Sequence, residues 1–176
     1  IADLTDLPIV RPTWNGRRVV LEGGSIEVNG AGLLMTTEEC LLSEVQCRNA
    51  GMMRTDYERV FADYLGVKTV LWLNRGIAGD DTHGHIDDVA RFVNFDTVVL
   101  AYEADPSDDN HASSIDNLHR LQLASATQPL NIIPVPYPRP VIMDGQRLPA
   151  SYANFYIGNG VVLVPTFNDE NDRVAL

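Results

Sequence analysis

Residues 80–88, DDTHGHIDD, gather two histidines and four aspartates into nine positions between two apolar runs. Histidine exchanges its proton near neutral pH, and carboxylates either bind cations or orient an imidazole. The segment therefore reads as a metal site, a carboxylate cradle for a cationic substrate, or an acidic surface loop. As a metal site it offers His83, His85 and Asp87 or Asp88, the ligand set of a metal-dependent hydrolase. A hydrolytic zinc centre typically takes three protein ligands rich in imidazole. The remaining histidines, His111 and His119, fall in a polar loop and a helix. His83 reads better as a turn residue, and the metal hydrolase is kept as the alternative.

The overall charge favours the cradle. The chain has 176 residues, with 13 Lys plus Arg against 24 Asp plus Glu, a net charge of −11. Nucleic acid is a poor partner for such a surface, whereas small cations are drawn to it. The two cysteines, Cys40 and Cys47, make no disulfide framework, which points to a cytoplasmic protein. No run approaches the roughly 18 apolar residues of a membrane span, and no signal-peptide pattern opens the sequence.

The elements that must position these residues repeat. Hairpins are expected at 25–37, 89–103 and 154–167, with turns at Asn29-Gly30, Asn94-Phe95-Asp96 and Gly158-Asn159-Gly160. Their centres near 30, 95 and 159 are spaced by 65 and 64, and one offset of 129 lays NGRRVVLEGGSIEVNG over DGQRLPASYANFYIGN. After the first hairpin, Thr55-x-x-Glu58 predicts a helix with Tyr57, Val60, Phe61, Tyr64 and Leu65 on one face and Gly66 as its stop. A strand at 67–73 follows. After the second, Ser113 or Ser114 caps a helix to about Ala124, and a strand at 130–136 carries prolines that favour its end or a sheet edge. The units run roughly 13–73, 79–136 and 144–176. The third stops as a helix opens at NDENDRVAL, and LPIVRP (7–12) reads as the closing strand of an earlier unit. The chain therefore looks like the middle of something longer.

The repeat aims the chemistry. Shifting Glu22 by 65 reaches Asp87, and shifting it by 129 reaches Ser151. Units circling an axis would bring Glu22, the His85–Asp87 pair and Ser151 to one centre. Convergent carboxylates bind a metal, or they clamp a guanidinium, whose planar fork of N–H donors matches carboxylate oxygens.

The segment GDDTHGHIDDVARFVN (79–94) resembles the core motif of the agmatine deiminases, in the family of bacterial-type peptidylarginine deiminase. LEGGSIEVNGAGLLMTTEECLL (21–42) and LPASYANFYIGNGVVLVPTFND (148–169) resemble two further motifs of that family, in order. The resemblance covers nearly the whole chain. It implies an α/β fold of ββαβ repeats in a five-bladed, pentein-type α/β propeller, with about 2.7 blades present. It implies hydrolysis of agmatine to N-carbamoylputrescine and ammonia, a step of polyamine biosynthesis, through a cysteine thiouronium intermediate and without a cofactor or metal. By position, His85 resembles the acid/base, and Glu22 and Asp87 the carboxylates that hold the guanidinium. Asp81 falls where an acidic residue meets the distal amine of agmatine, and Ser151 counts as a further substrate-binding residue. The partner expected is thus a small cation, with no membrane and no nucleic acid, and assembly as a homo-oligomer is left open.

The sequence departs from the family pattern at the nucleophile, which sits in a glycine-rich C-terminal motif with no counterpart here. An aspartate and a tryptophan of the first blade are also missing. Cys40, in TTEECLL, is expected on the side of its hairpin away from Glu22 and His85, and Cys47 has no histidine near it in sequence. Both read as structural cysteines, and the isolated chain is expected to be inactive, which keeps a non-catalytic binding fragment as a further alternative beside the metal hydrolase.

Overall fold

The computed structural model describes residues 2–176. Helix α1 (Ala2–Thr5) is followed by a small hairpin of β1 (Thr13–Trp14) and β2 (Arg17–Arg18). Next come β3 (Glu27–Val28), β4 (Leu33–Thr37), α2 (Glu38–Leu42), α3 (Arg54–Leu65) and β5 (Thr69–Leu73). The second stretch holds β6 (Ala90–Phe92), β7 (Thr97–Tyr102), α4 (His111–Ser125) and β8 (Asn131–Pro136). The third holds β9 (Ile142–Met143), β10 (Gln146–Arg147), β11 (Tyr156–Gly158), β12 (Val161–Leu163) and α5 (Asp172–Ala175).

Two three-stranded sheets share one topology. In the first, β4 pairs antiparallel with β3, Glu27 opposite Met35, and parallel with β5, Leu33 opposite Thr69. In the second, β7 pairs antiparallel with β6, Ala90 opposite Leu100, and parallel with β8, Thr97 opposite Asn131. The parallel partner returns each time after a helix, as parallel pairing requires. Pro134 and Pro136 lie in β8, at the edge of the second sheet, where a missing N–H is tolerated. β11 and β12 pair antiparallel with no third strand among the described residues.

Alternation along β4 divides the core. Leu33 and Met35 join a cluster with Leu73, Ile86, Val98, Leu100 and Leu121, which spans both sheets and α4. Leu34 points the other way, to Tyr57, Val60 and Phe61 of α3 and to Cys40 and Trp72. Asn29, in the first hairpin turn, donates from Nδ2 to Phe95 O at 2.7 Å, tying that turn to the turn between β6 and β7.

Several local expectations shift. Segment 7–12 forms no strand. Helix α3 starts at Arg54 rather than at a Thr55 cap, and Asp56, not Glu58, reaches back to the Met53 N–H at 2.8 Å. Its Tyr64 and Leu65 are exposed, so the buried face ends at Phe61, while Gly66 closes the helix in the left-handed region as expected. Helix α4 begins at His111, two residues before Ser113. Ser114 is buried, and its hydroxyl accepts from the Glu103 N–H at 3.1 Å instead of capping. No helix among the described residues is long and apolar enough to cross a membrane.

Candidate functional site

Glu22 immediately precedes a single 3-10 turn, Gly23–Ser25, and the Ser25 hydroxyl fixes its backbone by donating to Glu22 O at 2.7 Å. The approach to Glu22 is held by the buried Asn49, which accepts from Val20 N and donates to Val20 O, both at 2.8 Å. A side-chain amide thus pairs with Val20 as a neighbouring strand would.

His85 precedes a matching 3-10 turn, Ile86–Asp88. The loop before it is organised by Asp80, whose carboxylate accepts from Thr82 N and Gly84 N at 2.8 Å and from His85 N at 3.0 Å. Burial alone would raise the Asp80 carboxyl, but these bonds and one from the Thr82 hydroxyl outweigh it and hold the carboxyl below its usual range. Gly84 adopts φ +91°, and a Cβ there would meet Glu39 Cβ at 2.9 Å, so only glycine fits between the loop and α2. Thr37 joins the two pieces. Its hydroxyl donates to Gly84 O and accepts from Cys40 N at 3.0 Å, capping α2.

These turns bring Glu22, His85 and Asp87 together. His85 Nε2 lies 2.9 Å from Glu22 Oε2, and His85 Nδ1 lies 3.9 Å from Asp87 Oδ1. Gly24 makes the approach feasible: a Cβ there would stand 2.4 Å from His85 Nδ1 and 2.8 Å from each Asp87 oxygen. Arg48 completes the group, with Nη2 2.8 Å from Glu22 Oε2 and further bonds to Gln46 O and Thr82 O.

The electrostatics separate the acids. Burial opposes ionisation of Glu22, but hydrogen bonds from His85 and Arg48 outweigh it and hold the carboxyl below its usual value. Burial raises the Asp87 carboxyl, with His85 and Arg91 offsetting only part, and Asp87 Oδ1 is buried without a hydrogen-bond partner. Asp88 is pushed up to about 6, chiefly by burial and also by the charges of Asp87 and Asp80, although Asn154 donates to it at 2.9 Å. An ionised carboxylate, an imidazole and a desolvated carboxyl in contact can bind a cation and move a proton at its edge.

Asp81 is exposed and makes no hydrogen bond among the described residues. Ser151, expected as a substrate-binding residue, is instead 1% exposed, and its hydroxyl donates to Asp88 O at 2.7 Å, so it is spent on holding the 3-10 turn. His83 adopts φ +66° and bonds Ser43 Oγ at 3.1 Å. The ligand set His83, His85 and Asp87 or Asp88 is therefore not assembled. The expectation for Cys40 is also reversed. Its sulfur lies with Glu22 and His85 in a group whose ligand atoms are all within 4.8 Å of one another, the single such trio among the described residues. Burial pushes its thiol up to about 11, so it is protonated at neutral pH and a poor nucleophile, whereas Cys47 is exposed. Arg48 and Gly24 are absent from the sequence reading. Gly24 lies within the stretch LEGGSIEVNGAGLLMTTEECLL, but Arg48 carries no local signal.

With this geometry in hand, comparison with known proteins defines the class. The family profile described as Porphyromonas-type peptidyl-arginine deiminase matches residues 2–176. The chain belongs to that family. Relatives in Latilactobacillus sakei and Listeria monocytogenes are 37% and 36% identical over 89% of this chain and 48% of their own length. The chain thus spans about half the length of the curated relatives it matches. Among solved structures, a substrate-bound cysteine-to-serine variant of C. jejuni agmatine deiminase superposes with a TM-score of 0.80 at 33% identity, covering 87% of this chain and 44% of that one. Agmatine deiminase of Enterococcus faecalis gives a TM-score of 0.79 at 37% identity, covering 89% of this chain and 48% of that one.

Proposed function

We propose that this chain carries the guanidinium-binding and proton-transfer part of an agmatine deiminase. The observation that supports it best is the contact between Glu22 and His85, 63 positions apart yet 2.9 Å from each other, with Asp87 behind the imidazole. Glu22 and Asp87 hold the guanidinium by its N–H groups. A cysteine thiolate attacks the guanidinium carbon, His85 delivers a proton to the departing ammonia, and the resulting thiouronium is hydrolysed to N-carbamoylputrescine with His85 activating the water. Neither cysteine here supplies the thiolate, so the nucleophile belongs to a segment outside residues 1–176. Asp81 attracts the distal ammonium of agmatine, and Ser151 supports the site from beneath. The two sheets of like topology are read as blades of a five-bladed propeller, with units 13–73, 79–136 and 144–176 accounting for about 2.7 of them. The setting is cytoplasmic, in putrescine biosynthesis.

The test is ammonia release from agmatine by the complete reading frame and by residues 1–176 alone. The complete protein releases ammonia, the isolated chain does not, and His85→Asn in the complete protein lowers kcat by roughly 10²–10⁴. Turnover of a different guanidine with none of agmatine would leave the chemistry standing and remove the substrate assignment.

A further inference from the structure

We propose that Glu22, Cys40 and His85 form a binding site for one zinc-class divalent cation. They bring an oxygen, a sulfur and an imidazole nitrogen from three separate elements to within 4.8 Å of one another. Zinc bonds of about 2.0–2.3 Å imply ligand separations of about 3.5 Å in a tetrahedral shell, so side-chain movements of about an ångström close the site. The donor types are those that zinc prefers. A thiolate and a carboxylate also cancel its charge, the thiol proton passing to solvent as the Zn–S bond forms.

A second observation points the same way. Asp87 Oδ1 is buried without a hydrogen-bond partner, 3.9 Å from His85 Nδ1. An ionised Glu22 can only accept, so the 2.9 Å contact of His85 Nε2 with Glu22 Oε2 calls for the imidazole proton on Nε2. A cation at Nε2 forces that proton to Nδ1, where it faces the unpaired Asp87 oxygen. This is the carboxylate–histidine–metal relay common at zinc sites. Arg48 and His85 both contact Glu22 at Oε2, which leaves Oε1 for the cation. Glu22 is 40% exposed, so the fourth coordination position opens to solvent. The cation would take the carboxylate that a guanidinium needs and so act as a blocking ligand. Binding of the metal itself does not depend on the deiminase reading.

The experiment uses zinc and cobalt(II) alone, with no guanidine present. Equilibrium dialysis of the protein finds one zinc per chain, removable by a chelator, and the cobalt form shows a thiolate-to-cobalt charge-transfer band in the near ultraviolet. Cys40→Ser abolishes that band and weakens zinc by more than the 10- to 100-fold that loss of an outer partner costs, while Cys47→Ser changes neither. Asp87→Asn weakens zinc about 10- to 100-fold and keeps the band. Because Cys40 is buried, each variant is first shown folded by its circular dichroism, and Glu22→Gln serves as the second ligand variant. Absence of stoichiometric zinc, a cobalt complex without the thiolate band, or wild-type affinity in both Cys40→Ser and Glu22→Gln overturns the proposal.

Discussion

Arg48 is the cation with which Glu22 is already paired before any ligand arrives. The Glu22 carboxyl lies below its usual value, so its ionised form stabilises the fold at pH above the unfolded pKa, and that contribution is lost as pH falls through the folded pKa. Arg48→Met removes one of the causes that lower it, so acid unfolding followed by circular dichroism begins at a higher pH than in the wild type. Glu22 is 40% exposed, so screening limits the pair to about 1 kcal/mol or less. Asp88 works with the opposite sign. Its carboxyl is raised from 3.8 to about 6, so the folded protein holds the extra proton, and stability declines as pH rises from about 4 to about 6. Asp88→Asn keeps an oxygen for the Asn154 amide and removes the buried charge. It raises stability at pH 7 by up to about 3 kcal/mol and leaves it nearly unchanged at pH 4, which urea titrations at the two pH values check. At this scale Glu22 and Asp87 are legible in the sequence because the 65-residue offset aligns them, and His85 because it stands two positions before Asp87 in a segment dense in titratable groups. Arg48 is not, because the loop that delivers it from between α2 and α3 has no counterpart in the repeat.

Two adjacent glycines separate the site from its scaffold. Gly23 would meet nothing within 4 Å on gaining a Cβ, whereas Gly24 would meet His85 and Asp87 at 2.4–2.8 Å. Gly24→Ala should displace both side chains, abolishing the activity of the complete protein while shifting Tm by only a few degrees, and Gly23→Ala should leave both near the wild type. Equal loss from the two substitutions would show that the turn backbone, rather than the missing Cβ, is what matters. The elements also explain what the sequence conceals. Cys40 lies close to Glu22 and His85 because Thr37 ends β4 by capping a five-residue helix, which turns the chain toward their loops rather than away from them. The hairpins β1–β2 and β9–β10, by contrast, are written plainly in Asn15-Gly16 and Asp144-Gly145. All four residues have positive φ, as a type I′ turn demands, and the pairs stand 129 positions apart. Their two-residue strands are too short for periodicity to reveal, so only the turn dipeptides could have announced them.

Across the molecule, Arg91 joins three stretches of chain. Its Nε lies 3.0 Å from Glu27 Oε2 on β3, its Nη1 donates to Phe155 O at 2.8 Å, and its guanidinium stands 4.8 Å from the Phe155 ring centre. Glu27 in turn accepts from Phe92 N at 3.0 Å. Arg91 and Glu27 are 16% and 15% exposed, so Arg91→Met strands a buried carboxylate and costs about 3–5 kcal/mol in urea unfolding. Hydrogen exchange should then show residues 144–176 opening ahead of the two sheets, whereas uniform acceleration would mean that Arg91 is no junction. The sheets themselves finish differently. β8 ends the second with two prolines that offer no N–H to an approaching strand, while Val161, Val162 and Leu163 of β12 are all more than half exposed and contain no proline. An apolar, proline-free edge of this kind invites pairing with a neighbouring molecule. Residues 1–176 handled alone should therefore scatter light increasingly with concentration, and Val162→Lys, placing a charge on that edge, should keep the solution clear.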